Sequence, residues 1–468
     1  MPFNYKKFKV SAVALAAIVI FLSACNKAPE EILNTNPPVN DPTVSASRAT
    51  LGDTLASGPY TLFYKMVQRA GKLDTLKSRI YNLTVFVPDN NAMKQFVVAA
   101  SNGAVAIDAP DAVFEGFISG SLPVASAQAV VTYHILPNGL TSADIPSALF
   151  PNYKFPTIFN PAPTVSPLVR LDAYVGRSTN GMWKDNVPVI GPDKLAGNGV
   201  IHTLAAVTIP PSQVLWQRIA TDPDMTYLKA AIVRADSGMT ATTPGSLQHY
   251  LSDPTLALGA NFTVFAPTNA AFQAIIYQLA YPIVWQMIYN QAYAQIYPIV
   301  YQQIYDNAIA GGATPDEATA LATAQAPGIA QTQATAAADA QAPGTTTALA
   351  SDPNIFQNPA LFPYFSAQMV KGIVVYHMMS QRMFTVNGPT TTMFKPTLLN
   401  SAMPSHPGIG ITTSFTGPVV TAMTVKGVGG GSLYPAANVI INPLPGASSD
   451  QRYVNGVLHK IDRVLLPQ

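Results

Sequence analysis

The chain has 468 residues, 48% of them hydrophobic and only 11% charged, with a formal net charge of +2. That balance excludes wholesale disorder, which needs low hydrophobicity and high net charge. It also excludes a nucleic-acid partner, because no Lys/Arg cluster lies beyond the first ten residues. At roughly 100–200 residues per domain, two domains are the expectation.

The N-terminus reads as an address. Lys6, Lys7 and Lys9 precede an apolar run over 10–22, and Leu22-Ser23-Ala24-Cys25 looks like a bacterial lipobox. About 13 apolar residues are too few to span a ~30 Å hydrocarbon core, so residues 1–24 are expected to be a lipoprotein signal peptide. The resemblance implies cleavage before Cys25 and lipid on Cys25, the only cysteine of the chain. Losing three lysines and no acids takes the formal charge to −1. Residues 25–47, with Pro29, Pro37, Pro38 and Pro42, read as an extended tether. Lys27, Glu30 and Glu31 loosely resemble the acidic signals that send some lipoproteins to the cell exterior. Outer-membrane or cell-surface attachment in a gram-negative bacterium is the expected location.

Three motifs then recur in the same order. LTVFVPDNNAMKQF at 83–96 returns as FTVFAPTNAAFQAI at 262–275; VTYHIL at 131–136 returns as VVYHMM at 374–379; NGVIHTLAAVTIPP at 198–211 returns as NGVLHKIDRVLLP at 455–467. The chain is therefore expected to hold two copies of one domain. Thr84–Val87 and Thr263–Ala266 are short β-forming apolar runs ended by Pro88 and Pro267. Asp89 and Thr268 are placed to cap the helix that follows. Asn198-Gly199 and Asn455-Gly456 mark tight turns. In the last strand Val457, His459 and Ile461 share one face, opposite Lys460 and Asp462.

Together these motifs resemble the fasciclin domain, in residues 48–211 and again in 212–468. The second copy follows the pattern closely; the first departs at Val87, Asp89, Met93 and Leu204-Ala205. The resemblance implies an α+β fold, two tandem wedges in which strands form a sandwich flanked by helices, each half folding alone with a boundary near Pro210-Pro211. It also implies adhesion rather than catalysis. In some animal members the region around the Tyr-His pair, with a nearby Asp-Ile, is implicated in receptor binding. The matching residues are Tyr133, His134, Asp144 and Ile145 in the first copy, and Tyr376 and His377, without Asp-Ile, in the second.

The copies differ by an insertion over about 277–350. His134 follows Thr84 by 50 positions, whereas His377 follows Thr263 by 114, leaving about 64 extra residues. Tyr277, Tyr281, Trp285, Tyr289, Tyr293, Tyr297, Tyr301 and Tyr305 recur every four residues, a spacing that advances about 40° per step around a helix. Pro282 and Pro298 are expected to kink or divide that helix. Thr314, Pro315 and Glu317 form a helix-start signature, and the Ala/Thr/Gln-rich remainder to 350 is expected to be mobile outside it. The rings are either packed on their own domain or offered to a partner.

Chemistry is otherwise sparse. None of the six histidines sits in a zinc motif, no nucleophile elbow or phosphate loop is present, and the glycines at 427–431 read as a loop. His202 and His459 are expected to be hydrogen-bonded core imidazoles. No metal, cofactor or enzymatic activity is expected. The sequence therefore points to a surface-anchored protein whose partner is another protein or the extracellular matrix. The alternative is a glycan-capture accessory of an outer-membrane importer, with Tyr281, Trp285, Tyr289, Tyr293, Tyr297 and Tyr301 stacking on a polysaccharide.

Overall fold

The computed structural model describes residues 47–253, 261–429 and 435–468; the signal segment, Cys25 and nearly all of the tether lie outside them. The first strand–turn–helix motif forms β1 (Leu83–Pro88) and the helix Asn90–Ala100, capped by the Asp89 carboxylate on the Ala92 amide at 2.7 Å. The chain continues through β2 (Ile135–Leu136), β3 (Ala148–Pro156), β4 (Asp172–Ser178), β5 (Gly181–Lys184), β6 (Val187–Ala196) and β7 (Gly199–Leu204). These make one seven-stranded sheet of order β2-β1-β7-β6-β5-β4-β3. The second half repeats the centre of this arrangement. β8 (Phe262–Pro267) lies parallel to β15 (Gly456–Ile461), between β9 (Met378–Met379) and β14 (Gln451–Tyr453). β10 (Met393–Lys395), β11 (Ile409–Thr416), β12 (Val419–Lys426) and β13 (Ala437–Asn438) form a separate four-stranded sheet.

The same strands thus join into one sheet in the first half and split into two in the second. The reason lies in the bridging strand. β6 runs ten residues and carries two register shifts, at Val189/Gly191 and Gly191/Lys194, so it bends from β7 over to β5. Its counterpart β13 has two residues, and among the described residues a single bridge, Val439 to Ile461, crosses between the sheets.

Each half has two cores. In the first, Phe86, Leu136, Phe155, Val175, Met182 and Leu204 fill the space between strand layers, while Val85, Val87, Ile201 and the helices Thr61–Arg69 and Val124–Tyr133 pack on the other side. β1 and β7 are thereby buried on both faces, as are β8 and β15. The alternation read in β15 is present, but its second face is covered too. Lys460 escapes burial as a bare charge through ion pairs to Asp222 at 2.9 Å and Asp224 at 3.0 Å.

The Asn-Gly pairs do more than turn the chain. Asn198 accepts from the Leu51 amide at 2.7 Å and donates to the carbonyls of Leu76 and Ser78. Asn455 accepts from the Leu215 amide at 2.9 Å and donates to Leu251. Each Asn thus ties a two-residue turn to the first helices of its half. Gly199 is needed for a separate reason. It has φ 152°, and a Cβ there would sit 2.0 Å from the Leu83 carbonyl oxygen across the parallel pairing.

The insertion is a helical hairpin. One helix runs Asn269–Ala310, through both Pro282 and Pro298, and a second returns over Pro315–Ala350. The expected break at the prolines does not occur. Both prolines are exposed, so the carbonyl each leaves unpaired falls on the outer, wet side of the helix. The tail expected to be mobile is helix as well, and its Thr314–Glu317 capping box forms as read. Its buried positions repeat every four residues: Ala318, Ala322, Ala326, Ala330, Ala334, Ala338, Ala342, Thr346 and Ala350. Alanine lets two backbones approach closely, and this row is what holds the long helix. A period of four exceeds 3.6, so continuous contact along the row requires the pair to coil right-handed about each other.

Candidate functional site

The Tyr-His pairs, the obvious site candidates, are interior parts of the frame. Tyr133, His134, Ile145, Tyr376 and His377 are at most 1% exposed and Asp144 is 6% exposed. This corrects the reading of Tyr133, His134, Asp144, Ile145, Tyr376 and His377 as a contact surface: none of them presents one. Asp144 instead closes a turn, accepting from the Thr141 amide at 2.8 Å and the Thr141 hydroxyl at 2.7 Å.

The histidines explain why these motifs are spaced as they are. His134 Nδ1 faces the Val130 carbonyl at 2.7 Å, so it carries the proton, and Nε2 accepts from the Thr208 amide at 3.2 Å. His377 repeats this with the Ile373 carbonyl at 2.8 Å and the Leu465 amide at 2.8 Å. His202 and His459 use the opposite tautomer. Nε2 donates to Leu140 or Met383, both at 2.9 Å, and Nδ1 accepts from Asp193 at 3.2 Å or Asp450 at 3.1 Å. Each ring therefore links two distant segments and satisfies both nitrogens while neutral. His202 also packs on Phe86, and His459 on Phe265. The core-imidazole expectation for His202 and His459 agrees with these contacts.

Protonating such a ring would turn an N–H toward another N–H. Burial accordingly pushes His134 down to about 3 and His377 down to about 4. An unfolded histidine takes its proton near pH 6.5. Between that pH and the folded values the unfolded chain binds more protons, so stability is present above 6.5 and is lost as pH falls. Urea unfolding at pH 5 should show about 2 kcal/mol less stability per ring than at pH 7. A midpoint unchanged between those pH values would show that the rings are charged in the folded state.

The junction between the halves holds a second buried cluster, which the sequence reading missed. Lys184 is 0% exposed; its Nζ lies 3.9 Å from the centre of the Tyr133 ring, 2.8 Å from Thr208 Oγ1 and 3.3 Å from Asp185 Oδ2. The same Asp185 oxygen accepts from the Tyr133 hydroxyl and from Arg452 Nη1, both at 3.1 Å, and Arg452 belongs to the other half. Burial pushes Lys184 down to about 8 despite Asp185 beside it. Burial alone would raise the Asp185 carboxyl, but Lys184, Arg452 and the Tyr174 amide outweigh it and hold it low. Arg382 lies over the Tyr174 ring at 4.5 Å, and both side chains bond Asn261. Trp183, Tyr174, Phe384, Val386 and Val457 complete a shared apolar patch. The available signal was Trp183-Lys184-Asp185-Asn186, a strand end running into a two-residue turn, with Asp185 at φ 57°.

The third candidate is the helical hairpin. Its aromatic residues are half-buried and pile on one another. Ring centres are 5.3 Å apart for Trp285–Tyr289, 6.1 Å for Tyr289–Tyr293, 5.7 Å for Tyr293–Tyr297 and 6.1 Å for Tyr297–Tyr301. Tyr281 stacks on Tyr277 at 5.8 Å. Trp285 Nε1 donates to Asp339 of the returning helix at 2.8 Å. Along Trp285–Tyr297 neighbouring rings lie within 20° of parallel, in an offset stack. Among the described residues no group of three or more His, Cys, Asp or Glu is placed to hold a metal ion, and no helix is long and apolar enough to cross a membrane.

Comparison with known proteins bears on the first half. Residues 58–210 match the model of the fasciclin domain. Fasciclin-like arabinogalactan protein 16 of Arabidopsis thaliana is 25% identical over 161 residues, 34% of this chain and 30% of that protein. The chain thus matches less than a third of that relative's length. Among solved structures, the FAS1 domain pair from the insect cell adhesion molecule fasciclin I aligns over 88% of this chain and 98% of its own, at 13% identity and a TM-score of 0.27. The region that matches the fasciclin-domain model, residues 58–210, holds the Asn198 tie, the His134 and His202 bridges and the seven-stranded sheet.

Proposed function

We propose that this chain is a surface-anchored adhesion or interaction protein that binds another protein or the extracellular matrix through two fasciclin-like units, tethered by lipid on Cys25 at the outer membrane. The fasciclin domain at 58–210 carries this reading, since such domains are typically adhesion and interaction modules. The second unit is supported by the repeated frame: the Asn455 tie, the His377 and His459 bridges and the parallel β8–β15 pair repeat the pattern of the first half. The glycan-capture alternative draws less support, because the rings of Trp285 to Tyr297 are half-buried and stacked on one another. Cells producing the full chain, the Cys25→Ala variant or neither should differ in membrane fractionation and in retention on collagen-coated plates. Wild-type protein in the membrane fraction, with several-fold higher cell retention that Cys25→Ala abolishes, is the expected result. Equal retention in all three would overturn adhesion; membrane-bound Cys25→Ala protein would overturn the anchor alone.

A further inference from the structure

The hairpin has two unlike sides. On the long helix the buried positions Val284 and Val300 belong to a row that faces the alanines of the returning helix. Most large exposed aliphatic residues immediately precede such a contact row: Ile283 before Val284, Ile299 before Val300, Leu321 before Ala322 and Ile329 before Ala330; Ile309, at the end of the long helix, falls on the other side. Leu279 and Met287 continue the row of Ile283. In an antiparallel pair, residues preceding the contact row on both helices lie on one side, and residues following it lie on the other. The Trp285–Asp339 bond joins two followers and so marks the aromatic side. Leu279, Ile283, Met287, Ile299, Leu321 and Ile329, between 41% and 67% exposed, therefore share the opposite side.

We propose that this aliphatic side is where a second copy of the chain docks, hairpin against hairpin. The inference goes beyond the adhesive reading and does not depend on it. Area is the first argument. Two helices about 10 Å wide over about 30 residues at 1.5 Å each present a face of about 900 Å². A stable complex needs about 800 Å² per partner. Charge is the second. Between 279 and 307 the row holds Leu, Ile, Met, Gln and Asn, and between 321 and 345 it holds Leu, Ile, Gln, Ala and Thr. The hairpin carries no Lys or Arg, and its four acids, Asp306, Asp316, Glu317 and Asp339, lie outside these stretches of the row. A neutral face brings no like-charge repulsion when it meets itself, and a glutamine amide both donates and accepts, so it can pair with its own symmetry mate. Winding is the third. The four-residue period coils the face right-handed, and an identical hairpin winds with the same pitch and stays in contact along its length.

Sedimentation equilibrium of the full-length Cys25→Ala protein at about 10 μM decides the matter. A dimer is expected, and the pair Ile283→Glu with Ile299→Glu should weaken it at least 100-fold by burying unpaired carboxylates. Both positions are exposed, so far-UV circular dichroism should show the helices intact. Tyr293→Ala, on the other side, should leave the dimer unchanged. A monomeric parent protein, a dimer that survives both glutamates, or one abolished by Tyr293→Ala overturns the proposal. So does a monomer that partitions into phosphatidylcholine vesicles through this side, which would make lipid the occupant.

Discussion

Asp185→Asn is expected to cost about 3–5 kcal/mol of unfolding free energy, the usual penalty for stripping a buried ion cluster of one sign of charge. Asparagine tolerates the left-handed backbone at this position, and its amide oxygen can still accept from Tyr174, so the loss isolates charge from conformation. What remains is Lys184, fully buried, and Arg452 16% exposed in its side chain, with no carboxylate between them. Adding Lys184→Met should recover more than half of the loss, because the stranded ammonium goes with it. Urea titrations of wild type, both single variants and the double variant measure this coupling. A loss under about 1 kcal/mol for Asp185→Asn would mean that water reaches the cluster and screens it.

The same cluster bears on how the halves behave. The sequence leads one to expect that 48–211 and 212–468 fold separately. Separating them would expose Tyr174 and Trp183 on one piece and Phe384, Val386 and Val457 on the other, and would part Arg452 from Asp185. We infer that the separate pieces are each less stable than the same half within the chain.

What was legible in the sequence was whatever repeats or follows a local rule. The capped helices after β1 and β8, the Asn-Gly turns and the Thr314–Glu317 box depend on residues three or four apart. The Tyr-His pairs were legible as motifs but not as interior bridges, because their partners Thr208 and Leu465 lie 74 and 88 positions away. The Lys184–Asp185–Arg452 cluster was invisible for the same reason: Arg452 is 267 positions from Asp185. The hairpin was misjudged differently. Proline is a helix breaker by local rules, and Ala/Thr/Gln composition alone resembles low complexity. Both rules yielded to tertiary packing, since the alanine row recurs every four residues and the prolines sit outside it.

Removing residues 281–344 and closing the gap with a four-residue Gly/Ser link should leave the second half folded, with a urea midpoint close to that of the parent. The cut is placed by contacts. Phe272, Ile275, Ile276 and Tyr277 of the long helix pack into the core of the half, as do Leu349 and Ala350 of the returning helix, and the Tyr227 hydroxyl donates to the Ala350 carbonyl at 2.6 Å. A cut at 277–350 would remove that bond and part of the packing, at a cost of about 2–5 kcal/mol. The Trp285–Asp339 bond sets the register, so residues near 280 and 345 face each other across about 8–10 Å, which four residues can span. Beyond that point the hairpin's long contact is with itself. The variant should lose most of the far-UV helical signal of the insertion, keep a cooperative transition, and sediment as a monomer. An insoluble or non-cooperative product would show that the hairpin completes the core of the second half.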